Sequence, residues 1–223
     1  MGHFEPFGKC KKTIGILSRL MNGKSPKIHE KLLTINPFSR PGRKLVGVRG
    51  VVVHWIGNPN GGAEQTVDYF ESLSKQDPDK NPRYASAHYC VGHEGEIFQC
   101  IPDDEVAYHV GAREYVDGIL EKFDTTWPNN CLLGVEMSHV DWSGKFNQET
   151  WKSSASLVAH LLLKYDLPIS TVVRHYDVTG KLCPKYFVDH QEEYQMFLVS
   201  IQKAMDDFQN KRNFRRDTYR RIR

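Results

Sequence analysis

The chain has 223 residues, 39% of them hydrophobic and 26% charged, and a formal net charge of +3. That is enough for one ordinary globular domain with short extensions, and the charge by itself does not argue for a nucleic-acid partner. Five cysteines, an odd count, with no secretory leader ahead of them, argue against a disulfide framework, and no apolar run approaches a membrane span.

The first segment, residues 1–44, reads as an extension. Apolar residues are sparse there and Pro26, Pro37 and Pro41 interrupt it. Residues 14–21 suit a short helix. Ile14-Gly15-Ile16-Leu17 is too short for a signal sequence and lies among Lys9, Lys11, Lys12 and Arg19. Synthesis and folding in the cytosol are therefore expected, with action outside the cell depending on release by another agent.

A domain is expected over residues 45–209. Val51-Val52-Val53 is a β-branched apolar run that reads as a buried strand and delivers His54 at its C-terminal end. Residues 63–75 read as a helix with Val67, Phe70 and Leu73 on one side. Residues 87–91 and 97–101 read as two strands about the turn His93-Glu94-Gly95-Glu96. Cys90 and Cys100 would face each other across that hairpin, although a bridge between them is disfavoured. A long polar stretch, 102–130, follows, and loops of that length usually have work to do. Residues 132–137 read as another strand. Asn147 suits the cap of a helix over 148–165, with Trp151, Ala155, Val158, Ala159 and Leu162 as its stripe, stopped by Asp166-Leu167-Pro168. Thr171-Val172-Val173 reads as a short strand ahead of His175, and a last helix is expected over 189–208. The order of elements predicts an α/β fold, a single mixed central β-sheet flanked by helices. Residues 210–223 form a basic tail holding Lys211, Arg212, Arg215, Arg216, Arg220, Arg221 and Arg223 against Asp217 alone. Such a tail is drawn to polyanions such as anionic wall polymer, headgroups or nucleic acid, or else stands as a solvated terminus.

Three residues stand out chemically. His54 and His175 each follow a short apolar strand, and Cys183 follows His175 after one loop. Two imidazoles and a thiolate suit Zn2+ better than Mg2+ or Ca2+, and three protein ligands leave a fourth position open, as hydrolytic zinc requires. Singly, each is better read as an ordinary buried thiol or surface histidine. Glu136 sits in an apolar strand. It either faces solvent by strand alternation or, if it faces the metal, takes a proton from water there. Lys181 is either a solvated loop lysine or a cation beside the metal that stabilises an oxyanion. Trp55 and Tyr108 line a cleft or pack at its rim; Trp127 and Trp142 belong to the same set of loop aromatics. His88 lies in the hairpin, beside a site or in the core.

Taken in order, the blocks Val52-Val53-His54-Trp55, Ser86-Ala87-His88-Tyr89-Cys90-Val91 with Gly95-Glu96-Ile97-Phe98-Gln99, Ala107-Tyr108-His109-Val110-Gly111, Gly134-Val135-Glu136, Arg174-His175-Tyr176-Asp177-Val178 and Gly180-Lys181-Leu182-Cys183-Pro184 resemble the zinc-dependent N-acetylmuramoyl-L-alanine amidases of type 2. That group includes phage lysins and peptidoglycan recognition proteins. The resemblance implies their mixed-sheet fold and one Zn2+ held by His54, His175 and Cys183. It implies Glu136 as general base and Lys181 as the group polarising the scissile carbonyl, with Trp55, His88, Tyr108 and His109 toward the substrate. It implies peptidoglycan reached after release from the cell, or muropeptides in the cytoplasm, as substrate, cut between the lactyl group of N-acetylmuramic acid and L-alanine. The alternative is a non-catalytic peptidoglycan sensor of the same fold, although such proteins typically lose the cysteine that this chain keeps. Tyr108 stands where tryptophan is common. The basic tail matches nothing in the family and would supply contact with anionic wall polymer; nucleic acid is disfavoured.

Overall fold

The computed structural model describes residues 25–59 and 61–222, and side chains as far as residue 211 and at Asn213. The helix expected over 14–21 lies outside these residues.

Val51-Val52-Val53 falls in β2 (Gly50–Trp55), buried from Gly50 to His54. Beside it runs β5 (Leu132–Met137), parallel, with Val51 level with Leu133, Val53 with Val135 and His54 with Glu136. On the other flank β2 pairs with β6 (Val172–Arg174), also parallel. β3 (Tyr89–Val91) is parallel to β5 and forms the expected hairpin with antiparallel β4 (Ile97–Gln99). An edge strand, β1 (Ile28–Glu30), pairs parallel with β4, giving the order β1-β4-β3-β5-β2-β6. The sheet is mixed, as the order of elements predicts.

Helices cover both faces, which is why the central strands read as unbroken apolar runs. After β2 comes α1 (Ala63–Ser72), prolonged by a 3-10 turn at Leu73–Lys75. Next come the short α2 (Ile119–Lys122) and the long α3 (Gln148–Lys164). α4 (His175–Thr179), α5 (Lys185–Asp189) and α6 (Gln191–Ile222) complete the chain. Val51, Val53, Leu133, Val135 and Met137 pack against Leu157, Val158 and Leu161 of α3 and Phe197 and Ile201 of α6. The alternate residues point the other way. There Cys90 meets Val67 and Phe70 of α1, while Val52, Leu132 and Val173 meet Ile119 and Phe123. His54 and Glu136 belong to this second set, so the pleat itself puts both on the α1 side.

α3 starts where its sequence says it should. The Asn147 side chain accepts a hydrogen bond of 2.8 Å from the Thr150 N–H, a cap whose loss typically costs about 1 kcal/mol. The Thr150 hydroxyl donates to the Gly92 carbonyl at 2.8 Å, tying the helix to the β3–β4 turn. Residues 102–130 are better anchored than a polar loop suggests. Val106, Ala107 and Val110 are buried, and the Asn129 side chain accepts from the N–H groups of His109 and Val110 at 3.2 and 3.0 Å. The Cys90 and Cys100 sulfurs face each other at 3.6 Å without a bond.

Two expected boundaries are corrected. The extension over 1–44 does not stay outside the domain, because β1 lies in the sheet and Leu33 and Phe38 are buried. The Arg40 guanidinium donates to both Glu105 carboxylate oxygens, at 2.8 and 3.0 Å, and to the Leu33 carbonyl at 2.7 Å. The last helix does not stop at 208 but continues to Ile222. Lysine and arginine favour helix, and no glycine or proline stands in the way.

The Arg40–Glu105 pair is 13% and 10% exposed, whereas Lys44, which also reaches Glu105, is 64% exposed. Removing one partner of a buried pair strands the other charge. We expect Arg40→Ala to lower stability by about 3 kcal/mol and Lys44→Ala to leave it nearly unchanged, read from urea midpoints.

Candidate metal centre and active-site groove

Strand β2 carries His54 to the end of the sheet, and β6 passes directly into α4, whose first residue is His175. Arg174 fixes that junction. Its guanidinium grips Asp177, donates to the Phe187 carbonyl at 2.8 Å and to Gln191 at 2.6 Å, and lies over the Tyr194 ring. α4 ends at Gly180, in the left-handed region with φ +76°, which glycine adopts without strain. The chain then doubles back, and the Tyr176 N–H donates to the Cys183 carbonyl at 2.9 Å. Cys183 is thereby returned beside His175.

The three ligand atoms lie within 4.8 Å of one another, all on buried residues. His54 Nδ1 is 3.1 Å from His175 Nδ1 and 3.6 Å from Cys183 Sγ. Tetrahedral zinc with ordinary Zn–N and Zn–S bonds sets such edges at about 3.3 and about 3.6 Å. The donor set and the two distances from His54 fit zinc. Burial lowers the pKa of His54 well below its usual value, with His175, His109 and Lys181 adding to the effect. Burial, then Lys181, brings His175 down to about 4. Both imidazoles are thus neutral at pH 7, the form a metal needs. Burial, then Glu136, pushes the Cys183 thiol up, so binding a metal there would release its proton.

Around this cluster lies a groove of about 910 Å³, lined by Trp55, Tyr108, His109, Glu136 and Lys181 among others. Glu136 Oε2 is buried and has no hydrogen-bond partner among the described residues. Burial raises its carboxyl to about 8, against an opposing pull from Lys181. Lys181 itself is exposed at the rim. Trp55 is half-buried, with its ring 4.6 Å from that of His139.

The expected substrate-facing set divides. Trp55 and Tyr108 line the groove. His88 does not: it is fully buried, its Nε2 donates to the Glu105 carbonyl at 2.9 Å and its Nδ1 accepts from the Gly134 N–H at 3.0 Å. It is a core histidine with both nitrogens used. His109 reaches the groove wall but is 8% exposed, and its nitrogens are committed to His54 and to the Leu132 carbonyl. Trp142 is 67% exposed and lies away from the groove lining. Residues that the sequence did not single out extend the groove from the cluster: Tyr69, Arg83 and Tyr84 line it too, and Tyr84 and Tyr108 meet edge to face at 5.7 Å. Tyr69 lies on α1 outside its buried stripe, an offset that could have marked it.

The family model described as N-acetylmuramoyl-L-alanine amidase matches residues 42–186. The chain belongs to this amidase family. A probable N-acetylmuramoyl-L-alanine amidase of Bacillus licheniformis is 40% identical over 182 residues, 80% of this chain and 48% of the relative. CwlL of the same species is 33% identical over 181 residues, with the same shares. The chain thus spans about half the length of the curated relatives it matches. Among solved structures, PlyL aligns with a TM-score of 0.59 at 22% identity over 78% of this chain and 96% of that one. Staphylococcus aureus AmiA aligns at 0.61 and 20% over 92% and 95%. These likenesses establish the amidase fold.

His88 is held near 4 by burial, so it is neutral when folded but takes up a proton near pH 6.5 when unfolded. Stability from this residue is complete above 6.5 and lost as pH falls toward 4, about 3 kcal/mol in all. His54, His109 and His175 are also depressed and act in the same direction, while raised Glu136 alone opposes them. Urea midpoints measured in chelator are therefore expected to fall from pH 7 to pH 5.

Proposed function

We propose that this chain is a zinc-dependent hydrolase that cleaves the amide between the lactyl group of N-acetylmuramic acid and L-alanine in peptidoglycan. The observation that carries this reading is the buried His54–His175–Cys183 cluster in the wall of a groove also lined by Glu136, whose buried carboxyl holds its proton. Membership of the amidase family supplies the bond.

His54, His175 and Cys183 would hold the metal. Zinc, when bound, supplies Lewis acidity toward water and toward an amide carbonyl, and a positive charge that draws Glu136 toward ionisation. Glu136 then takes the proton of the attacking water and returns it to the departing amine of L-alanine. A carboxyl tuned near neutrality can do both. Lys181, at the rim, faces the developing negative charge on the carbonyl oxygen. Trp55 and Tyr108 supply flat apolar walls for the sugar and peptide, and Arg83 adds a cation to the lining.

Zinc content and release of L-alanine amino termini from purified sacculi test this reading. Glu136→Gln should keep its zinc and lose about 10²–10⁴ in turnover. Cys183→Ser should lose zinc and activity together. Full activity in the glutamine variant would remove Glu136 from the mechanism. A wild-type chain that binds sacculi but liberates no amino termini would be a sensor instead.

The cationic segment 211–223 is proposed to add contact with anionic wall polymer. Truncation after Asn210 is expected to weaken binding to polymer-bearing sacculi, most of all at low salt. Equal binding by both forms at every salt concentration would discard that role.

A further inference from the structure

Behind His54 of the cluster stand His109 and then His88, and carbonyl groups settle which nitrogens of these two carry their protons. A carbonyl can only accept. His109 Nε2, 3.0 Å from the Leu132 carbonyl, must therefore be the protonated nitrogen. The neutral ring then presents Nδ1 as an acceptor. That Nδ1 is 3.1 Å from His54 Nε2, so His54 must donate there. The proton of neutral His54 is thus placed on Nε2, and its Nδ1 lone pair is left bare toward His175 and Cys183.

The backbone is shaped around this arrangement. A Cβ on Gly134 would lie 2.7 Å from His109 Cγ and 2.9 Å from its Nδ1. Only glycine at this point of β5 lets the ring lie against the strand. The Gly134 N–H donates to His88 Nδ1 at 3.0 Å, and the His88 ring lies 5.8 Å from that of His109. His109 itself is located by Asn129, which accepts from its N–H at 3.2 Å.

We infer that His109 is a positioning residue for the metal centre rather than a substrate contact: it fixes His54 in the Nε2–H tautomer, so that Nδ1 alone is offered to the metal. This rests on the zinc reading of the cluster but not on the proposed amide chemistry. A ligating histidine whose other nitrogen is held by a partner is oriented and made more basic, and loss of such a partner typically weakens metal binding 10–100-fold.

The experiment uses the full chain. Long-range 1H–15N correlation spectra of the metal-free protein report the tautomer of His54, and competition with a chromophoric chelator reports zinc affinity. His54 should show the Nε2–H form. His109→Phe, which fills the space without an acceptor, should weaken zinc binding about 10–100-fold, and His54 should become a mixture of tautomers. His109→Asn, which restores a carbonyl acceptor near the same place, should recover most of the affinity. An Nδ1–H form of His54 in the wild type overturns the inference. So does unchanged zinc affinity in folded His109→Phe. If the phenylalanine variant does not fold, the wild-type tautomer decides the matter. Failure of the wild type to bind zinc at all would instead sink the proposed function, while the tautomer measurement would still stand or fall alone.

Discussion

The in-register pairing of β2 with β5 is the constraint on which the rest of the site depends. It sets His54 level with Glu136 on adjacent parallel strands, both pointing away from α3. A slip of one residue would turn every side chain of one strand to the opposite face. Val53 would then stand where His54 stands, and a histidine would enter the packed layer beneath α3 and α6. The apolar alternates Val51, Val53, Leu133 and Val135 forbid this, because each is fully buried against those helices. The core thus holds the register, and the register places the chemistry.

Burial in turn decides the state of the polar groups it encloses. A charge in this layer is costly unless paired. The histidines respond by staying neutral, and each neutral ring has one donor and one acceptor to satisfy. Carbonyls of the anchored 102–130 segment and of β5 accept hydrogen bonds from the ring N–H groups of His88 and His109. Glu136 responds differently: buried, and with no hydrogen-bond partner for Oε2 among the described residues, its carboxyl holds its proton to about 8. One low-dielectric environment therefore keeps the two candidate histidine ligands in their neutral, basic forms, holds the Cys183 thiol protonated and leaves a carboxyl poised near neutrality.

Much of the fold was legible because its strongest signals are local. The apolar runs of β2 and β5, the hairpin turn and the Asn147 cap each state their structure within a few residues. β1 was not legible. Ile28-His29-Glu30 is three residues long, half-exposed and without alternation, and it becomes a strand only because β4 offers an edge. The basic segment after residue 209 looked like a tail by charge, while its helical propensity carried α6 on. At the site, the residue types pointed to the metal cluster and raised Glu136 and Lys181 as candidates with their alternatives open, and the resemblance of several ordered blocks implied their roles. Neither could separate His88 from His109. That distinction lies in hydrogen-bond partners, Glu105 and Gly134 for one and Leu132 and His54 for the other, which come from distant stretches of chain.

The cluster is also economical in how it joins near and far parts of the chain. His175 and Cys183 sit on one short loop, closed by the Tyr176–Cys183 backbone bond and anchored at its root by Arg174. Closing a loop this short costs little entropy, so two ligands are set by local structure. The third, His54, is fixed by the sheet more than a hundred residues earlier, as its 121-residue separation from His175 shows. A metal that binds all three would clamp the β6–α4 turn to the centre of β2, and its binding free energy would add directly to the stability of that junction. The same junction carries the groove floor, so metal occupancy, local rigidity and the shape presented to a substrate are linked through one bridge between β2 and α4.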